Sequence, residues 1–252
     1  MFALIVAFFL VALLYASVGL GGGSTYSALL VLSGVDYRVL PVLALICNIT
    51  VVAGGAWRFH KGRYIQFKNV APFIIPSVPF AWLGGRLPVS EETFVGGLAI
   101  SLAVAGLLLC FQASSTISEN APRPLVLGGT IGAGLGFLSG LVGIGGGIFL
   151  APLLYLLKWD NARAIAGTCS LFILINSISG LTGQLMKSNH IDIISALTPY
   201  WMLLPAVLIG GQIGSRLGVS ILPEAFLRRI TAVLILYVAA RLTLQWYNLV
   251  LS

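Results

Sequence analysis

Charged side chains are scarce in this sequence of 252 residues. Only seven are Asp or Glu, against fourteen Lys or Arg and two His. None of the acidic residues lies well inside an apolar run, where a sodium site or a proton relay would place its carboxylate. This argues against a cation pump and weakens any mechanism that couples protons through a buried carboxylate. His60 and His190, both in loops, are left as the groups that titrate near neutral pH.

Cysteine is equally rare, and it carries no recognisable chemistry. Cys47, Cys110 and Cys169 all fall within apolar runs, with no CxxC pair and no metal-ligand spacing, so we expect no metal and no cofactor. Ser139 and Ser179, each followed by glycine, lack the GxSG form of a hydrolase, and both histidines lie in loops. No strand precedes the glycine-rich stretches, which excludes a dinucleotide site. We therefore expect no enzyme.

Apolar residues are abundant instead. They make up 58% of the chain, charged residues only 8%, and the mean hydropathy is +1.03. These values are typical of a polytopic membrane protein with helices packed in a lipid bilayer. Most of the net charge of +7 lies in short loops beside apolar runs, which is the positive-inside pattern rather than a nucleic-acid surface. The most basic loop, 58–68, is predicted to face the cytoplasm.

Two glycine clusters interrupt the apolar runs. The first is Gly19-Leu20-Gly21-Gly22-Gly23-Ser24, and the second is Gly143-Ile144-Gly145-Gly146-Gly147-Ile148. Each glycine destabilises a helix interior by about 1 kcal/mol relative to alanine. We expect each cluster to break a membrane helix and to leave free N–H groups at the start of a short half-helix, where an anion binds. A hinge or a tight helix crossing is the alternative.

The sequence repeats itself around these clusters. A shift of 124 residues superposes the two clusters and places Asp36 on Asp160, and Asn48 then lies nearest to Asn176. We expect an all-α membrane protein with two tandem repeats, 1–111 and 124–252, joined by the linker 112–123. Each repeat has about four helices, which gives about eight spans. The expected helical runs are 2–18, 24–32, 38–57, 70–87, 93–111, 124–142, 148–157, 162–186, 193–215 and 225–248.

The charge bias bears on how the two repeats are oriented. The basic loop 58–68 corresponds to the nearly neutral segment 187–192, whereas the acidic loop after Arg86 corresponds to a basic stretch after Arg216. Such a swap favours inverted repeats, which require an odd number of crossings in each. Four full spans are an even number, so the broken helix would have to be re-entrant. The sequence leaves parallel and inverted repeats both open.

Polar residues inside the helices complete a candidate binding site. Asn48 and Asn176 are interpreted as offering two amide donors each, with interhelical hydrogen bonding as the alternative. Ser24 and Thr25 add hydroxyl groups in the first copy only, so the site is expected to be chemically asymmetric. The candidate substrate-binding residues are Gly21, Gly22, Gly23, Ser24, Thr25, Asn48, Gly145, Gly146, Gly147, Ile148, Ser170 and Asn176. Glycines at four-residue spacing, 128 to 140, are interpreted as a helix-packing face.

The paired glycine motifs, together with Gly-Thr-Cys-Ser at 167–170, give the chain a resemblance to the sulfite exporter TauE/SafE family, also called the toluene sulfonate uptake permease superfamily. The resemblance spans the whole chain. It implies a multi-pass carrier in the bacterial inner membrane for sulfur-containing anions such as sulfite, sulfoacetate or other organosulfonates. Neither the substrate nor the direction follows from the family.

A sulfite or sulfonate head has three oxygens, which suits several converging N–H and hydroxyl donors. We therefore expect alternating access around a site at the bilayer midplane, with a small anionic substrate and lipid as the partners. An anion channel, and a membrane subunit for a different small anion, are the alternatives. A homo-oligomer is left open.

Overall fold

The computed structural model describes residues 1–111, 125–157, 159–187 and 193–217, and a set of single residues and short stretches between 233 and 250. All regular secondary structure in these residues is helical, as the composition predicts. The helices are α1 (Phe2–Ser17), α2 (Gly23–Leu32), α3 (Leu40–Lys61), α4 (Phe67–Arg86), α5 (Glu91–Phe111), α6 (Leu125–Val142), α7 (Gly147–Leu156), α8 (Ala162–Lys187), α9 (Ile193–Leu197) and α10 (Leu203–Leu217).

The exterior of the bundle suits lipid. Large apolar side chains such as Phe2, Trp57 and Ile75 are 81%, 68% and 70% exposed, which would be costly in water. Among the described residues, three helices are long and apolar enough to cross a membrane: Leu40–Lys61, Glu91–Leu108 and Ala162–Lys187. Within the same residues, five further apolar stretches have 10–17 residues, and the 20-residue helix α4 contains three prolines. The all-helical membrane architecture agrees with the sequence-based expectation.

Both predicted helix breaks are present. The helix α1 ends at Ser17 and α2 begins at Gly23, while α6 ends at Val142 and α7 begins at Gly147. The backbone of Gly22 has a φ of +85°, and that of Gly146 has a φ of +76°. Side chains other than glycine are strained in this left-handed region. The glycines are therefore required by the backbone geometry of the breaks.

The chain reverses direction at each break. The rings of Phe8 and Tyr26 stack with their centroids 4.6 Å apart, whereas a continuous helix would separate these residues by about 27 Å. In the second copy, Phe73 of α4 contacts Trp159, with ring centroids 6.2 Å apart, and also packs on Gly132 of α6. Residues 132 and 159 thus lie at a similar height along the bundle, although 27 residues separate them. Each long helix and the short helix after it form a hairpin.

The two longest helices, α3 and α8, pack against each other in opposite directions. A β-carbon built on Gly167 would lie 3.1 Å from Cβ of Phe59, and one built on Gly55 would lie 3.8 Å from Oγ of Ser170. Residue numbers therefore rise along α3 as they fall along α8. Most of the side chains at this interface are buried. The α3–α8 pair forms the centre of the bundle.

Glycines allow the outer helices to pack closely. A β-carbon at Gly132 or Gly136 of α6 would overlap a carbonyl oxygen of α4, and one at Gly214 of α10 would overlap the carbonyl oxygen of Leu13 in α1. Such contacts bring helix backbones together in the way that membrane helices favour. The predicted packing role of the four-residue glycine spacing is confirmed for α6.

The loops lie at two ends of the molecule. At one end, the side chain of Arg163 donates a 3.1 Å hydrogen bond to the Tyr64 hydroxyl, which joins the loop after α3 to the start of α8. At the other end, a cavity of about 310 Å³ is lined by residues that include Asp36, Arg38 and Glu91. We call these the Arg163 end and the Glu91 end.

The predicted run 193–215 is wrong as a single helix. The short helix α9 ends at Leu197, a 3-10 turn follows at Thr198–Tyr200, and α10 starts only at Leu203. Pro199 lies in this turn; proline has no N–H to donate and it disfavours the helical conformation of the residue before it. The predicted linker 112–123 and most of the predicted run 225–248 lie outside the described residues.

Candidate functional site

The two glycine motifs meet at Asn48. This residue of α3 is fully buried, and its Nδ2 atom donates a 3.0 Å hydrogen bond to the carbonyl oxygen of Ile144. A β-carbon at Gly21 would lie 2.5 Å from Oδ1 of Asn48, and one at Gly145 would lie 2.8 Å from its Nδ2. The side chain thus fills space that only glycine leaves free. We call Gly21–Thr25, Asn48 and Ile144–Ile148 the crossing.

An apolar side chain from α8 packs beside Asn48. Ile173 is 2% exposed, and its Cγ2 atom lies 3.2 Å from a β-carbon position at Gly21 and 2.8 Å from one at Gly145. It therefore touches both motifs at once. With Asn48 and Ile173 in place, the crossing is tightly packed.

Ser170 makes a second link between a central helix and a motif. Its hydroxyl donates a 2.8 Å hydrogen bond to the carbonyl oxygen of Gly19, and the residue is 1% exposed. The link resembles that from Asn48, because each side chain holds a main-chain carbonyl of the glycine motif that precedes the other central helix. Ser170, one of the predicted site residues, therefore lies beside Gly19, the first residue of the first motif.

Both short helices begin with unpaired N–H groups. In α2 the first N–H to bond within the helix is that of Tyr26, which donates to Gly22 at 2.9 Å. The N–H groups of Gly23, Ser24 and Thr25 precede it, and no side chain caps the helix. In the described part of the chain these groups have no acceptor, and the same holds for Gly147 and Ile148 in α7. All five residues are buried.

Several buried side-chain oxygens have no partner, and those of Tyr26, Asn48 and Ser177 lie within about 3.2 Å of β-carbon positions in the two motifs. Within the described residues the unpaired oxygens are Ser24 Oγ, Tyr26 Oη, Ser27 Oγ, Asn48 Oδ1, Ser139 Oγ, Thr168 Oγ1, Asn176 Oδ1 and Ser177 Oγ. An unpaired buried polar atom costs about 1–3 kcal/mol. Such a concentration in a folded protein calls for a ligand or water to complete the hydrogen bonds.

One satisfied hydroxyl pair lies beside the first motif. The oxygens of Tyr15 and Thr25 are 2.7 Å apart, and both residues are 2% exposed. Phe149 stands at the place that Thr25 holds in the first copy. The crossing is therefore chemically asymmetric, as predicted from Ser24 and Thr25.

The predicted role of the two asparagines needs correction. Each was expected to offer two amide donors, but one amide hydrogen of Asn48 is used by Ile144, and one of Asn176 by Phe172 in its own helix, at 2.9 Å. Each asparagine thus keeps one amide hydrogen and an unpaired Oδ1 acceptor. Apart from this amide hydrogen of Asn48, the donors available at the crossing are hydroxyl and backbone N–H groups.

Some residues at the crossing were missed from the sequence. Ser177 follows Asn176 on α8, and its Oγ lies 3.2 Å from a β-carbon position at Gly145. Tyr15 and Ser139 lie on the long helix before each motif, and the shift of 124 that aligns the motifs also aligns these two residues. That alignment could have identified Tyr15 and Ser139, whereas the choice of Ser177 depends on the rotation of α8.

The crossing is electrically neutral in its side chains. Among the described residues, apart from Tyr and Cys, every buried polar side chain is a Ser, Thr, Asn or Gln. The partial positive charges at the N-termini of α2 and α7 are thus left without opposing carboxylates. No cluster of His, Cys, Asp or Glu able to hold a metal ion occurs in the part of the chain that the structure describes.

Comparison with known proteins finds relatives along nearly the whole chain. The family model of the sulfite exporter TauE/SafE matches residues 4–242. A probable membrane transporter protein of Sinorhizobium fredii is 34% identical over 96% of this chain and 97% of its own length. Probable membrane transporter proteins of Methanocaldococcus jannaschii and Bacillus subtilis are 28% and 25% identical, over 88% and 87% of this chain and 87% and 89% of their own lengths.

No solved structure matches the chain. The family match nevertheless covers nearly the whole sequence, and the similar proteins carry the names of membrane transporters rather than of enzymes. The chain therefore belongs to the sulfite exporter TauE/SafE family of membrane transporters.

Proposed function

We propose that this chain is a secondary transporter for small sulfur-containing anions, such as sulfite, sulfoacetate or other organosulfonates, that works by alternating access around the crossing. The observation that carries this proposal is the set of buried, unpaired N–H groups at Gly23–Thr25 and Gly147–Ile148 beside the unpaired oxygens of Ser24 and Ser177. Both sets of atoms gain hydrogen bonds when a small polar ligand binds.

The donor chemistry favours an anion. Backbone N–H groups at a helix start carry partial positive charge, and the broken helices of transporters place such ends near the middle of the membrane. The residues of the crossing include no carboxylate that would compete for these N–H groups. They also include no arginine or lysine that would bind the anion too tightly for release. A sulfonate head has three oxygens that spread over several such donors.

The packing favours a carrier over an open channel. A β-carbon at Gly23 would overlap Asn48 Nδ2, and one at Gly147 would overlap Ile173. An anion passes such a place only when the helices move apart. This supports alternating access, whereas an anion channel is the second candidate and predicts a continuous open path in the conducting state.

The helix directions support inverted repeats. The central helices α3 and α8 occupy corresponding places in 1–111 and 124–252, and they run in opposite directions. Because α1 and α2 form a hairpin, the first repeat crosses the membrane with α3, α4 and α5. Three is an odd number, so a second repeat of the same plan is inverted. The positive-inside rule supports a cytoplasmic location for the Arg163 end. The family resemblance supports the bacterial inner membrane as the location that we propose for the protein.

Flux measurements on purified protein in proteoliposomes test the proposal. Labelled sulfite uptake should saturate, should show counterflow from vesicles loaded with unlabelled sulfite, and should be inhibited by small sulfonates but not by acetate. Unitary currents across a planar bilayer would favour the channel instead. Absence of flux for sulfite and sulfonates in folded protein would overturn the substrate assignment.

A further inference from the structure

Arg58 is a charged residue that the proposed mechanism has not used. It lies on α3, three residues before the helix ends, and it is half-buried. Its guanidinium donates hydrogen bonds to the side-chain oxygen of Gln212 and to the hydroxyl oxygen of Ser215, both on α10. Both acceptors are neutral. Within the described residues, no carboxylate forms an ion pair with Arg58.

A second cation increases the electrostatic cost of this arrangement. Arg216, which is exposed, directly follows Ser215, whose hydroxyl accepts from Arg58, so α10 carries a second guanidinium group next to the residue that Arg58 binds. A partly desolvated charge without an opposite charge is unfavourable, and a neighbouring like charge adds to the cost. An anion between the two guanidinium groups would remove both costs. Arginine is also the side chain that binds oxyanions with two parallel N–H bonds.

The α3 helix connects this pair of arginines to the crossing. Gly54, one turn before Arg58, leaves room that is filled by Gln212, since a β-carbon there would overlap its Nε2 atom. A β-carbon at Gly55 would lie 3.8 Å from Oγ of Ser170, which holds the carbonyl of Gly19 in the first motif. A side chain that moves away from Gly54 therefore opens space between Arg58 and the first glycine motif.

We propose that Arg58 and Arg216 form a second anion-binding site at the Arg163 end, where a sulfite- or sulfonate-type oxyanion displaces Gln212 and Ser215 from the guanidinium before it moves to the crossing. The inference rests on the proposed anion transport. Arg58 then has two successive partners. The first are Gln212 and Ser215 of α10, and the second is the anion, which binds when α10 moves aside. The site then attracts the anion and releases a link between α3 and α10 in the same step.

Sided flux measurements test the site. Proteoliposomes are scored for orientation by protease access to the exposed loop at Arg63, and labelled sulfite uptake is measured from each face. Arg58→Gln should raise the KM for sulfite at the Arg163 end by about tenfold or more, because it removes charge-assisted hydrogen bonds. The KM at the Glu91 end should stay within about twofold. Arg86→Gln is the matched control, since Arg86 lies over the Trp82 ring at 5.0 Å, and it should leave both values unchanged.

Two further variants separate anion binding from a structural link. Arg58→Lys keeps the charge and should restore much of the affinity, whereas Ser215→Ala breaks one link to α10 and should not raise the KM. If Arg58→Lys and Ser215→Ala both behave like Arg58→Gln, the arginine is only a bridge between helices and the proposal is overturned. An equal KM change at both faces would overturn it as well.

A measurement without transport keeps the two proposals distinct. Sulfite should raise the thermal unfolding midpoint of purified protein, and the half-maximal concentration should increase in Arg58→Gln but not in Arg86→Gln. An Arg58-dependent shift without any flux would support the second site while defeating the transport proposal. Flux with unchanged KM in Arg58→Gln would defeat the second site alone, and neither flux nor shift would defeat both.

Discussion

The side-chain amide of Asn48 in α3 holds the main-chain carbonyl of Ile144, which lies 96 residues further along the chain, at 3.0 Å. The carbonyl belongs to the second glycine motif, whereas the same side chain fills the space beside Gly21 and Gly23 of the first. One residue therefore connects the two breaks. If either hairpin moves so that the motifs separate, the hydrogen bond between Asn48 and Ile144 must break, or α3 must move together with the second motif.

Replacement of Asn48 should destabilise the protein more than replacement of Asn176. Asn48→Ala leaves a buried carbonyl without its partner, which should lower the free energy of unfolding by about 1–3 kcal/mol. Asn176 donates to Phe172 within its own helix, so Asn176→Ala should cost less than about 0.5 kcal/mol in lost hydrogen bonding. Unfolding in mild detergent compares the two variants. An equal decrease in the free energy of unfolding in both variants would show that the hydrogen bond to Ile144 does not stabilise the protein more than the one within α8.

Removal of unpaired hydroxyl groups should affect stability and transport in opposite directions. Tyr26→Phe keeps the ring that stacks on Phe8 and removes an unpaired buried oxygen that lies 3.0 Å from a β-carbon position at Gly22 of the crossing. Stability should stay the same or rise by about 1 kcal/mol, because a desolvation cost disappears. Labelled sulfite uptake should nevertheless fall, and Ser177→Ala should behave alike.

The control for these variants is Ser77→Ala. Ser77 is fully buried, and its hydroxyl is already satisfied by the carbonyl of Ile74 at 2.9 Å. Its removal should leave uptake unchanged. If Tyr26→Phe and Ser77→Ala had the same effect on flux, the unpaired oxygens would have no role in binding.

Two glycines of α6 should respond differently to alanine. A β-carbon at Gly136 would overlap the carbonyl oxygen of Ser77, whereas one at Gly134 would have no neighbour within 4 Å. Gly136→Ala should therefore cost about 1–3 kcal/mol through forced separation of α4 and α6. Gly134→Ala should be neutral or stabilising by up to about 1 kcal/mol. The thermal unfolding midpoints of the two variants test this difference. Similar midpoints would contradict the close packing of α4 against α6 at Gly136.

Cysteine labelling tests the reversal of the chain at the breaks. Cys47 and Cys169 are buried, so a Cys110→Ser background leaves no exposed thiol in the described chain. In that background, Arg63→Cys and Leu157→Cys should react with an impermeant maleimide from one face, and Ser33→Cys from the other. Labelling of Leu157→Cys from the face of Ser33→Cys would mean that α6 and α7 run straight through the membrane.

The sequence predicted where the helices break but not in which direction the chain leaves the break. Glycine at positive φ permits several directions, and the choice depends on tertiary contacts such as the stacking of Phe8 on Tyr26 and the hydroxyl pair of Tyr15 and Thr25. These contacts join residues that a continuous helix would hold far apart. Sequence periodicity carries no information about them.

The sequence identified several residues of the candidate site, but it did not predict which hydrogen bonds their side chains make. Asn48 was identified because a buried amide in a membrane helix needs a partner, yet the partner is a carbonyl 96 residues away. That partner consumes a donor which the sequence had assigned to the substrate. Ser177 was missed because adjacent residues on a helix point about 100° apart, so that only the packed rotation of α8 decides which of them reaches Gly145.

Whether the crossing binds the anion is tested by labelled sulfite uptake into proteoliposomes, measured in parallel for wild type, Tyr26→Phe and Ser77→Ala. Uptake should be saturable and inhibited by small sulfonates in wild type and Ser77→Ala. In Tyr26→Phe it should be reduced at least several-fold although the protein stays folded. Uptake in Tyr26→Phe that equals wild type, with the same KM, would contradict the assignment of the crossing as the anion site.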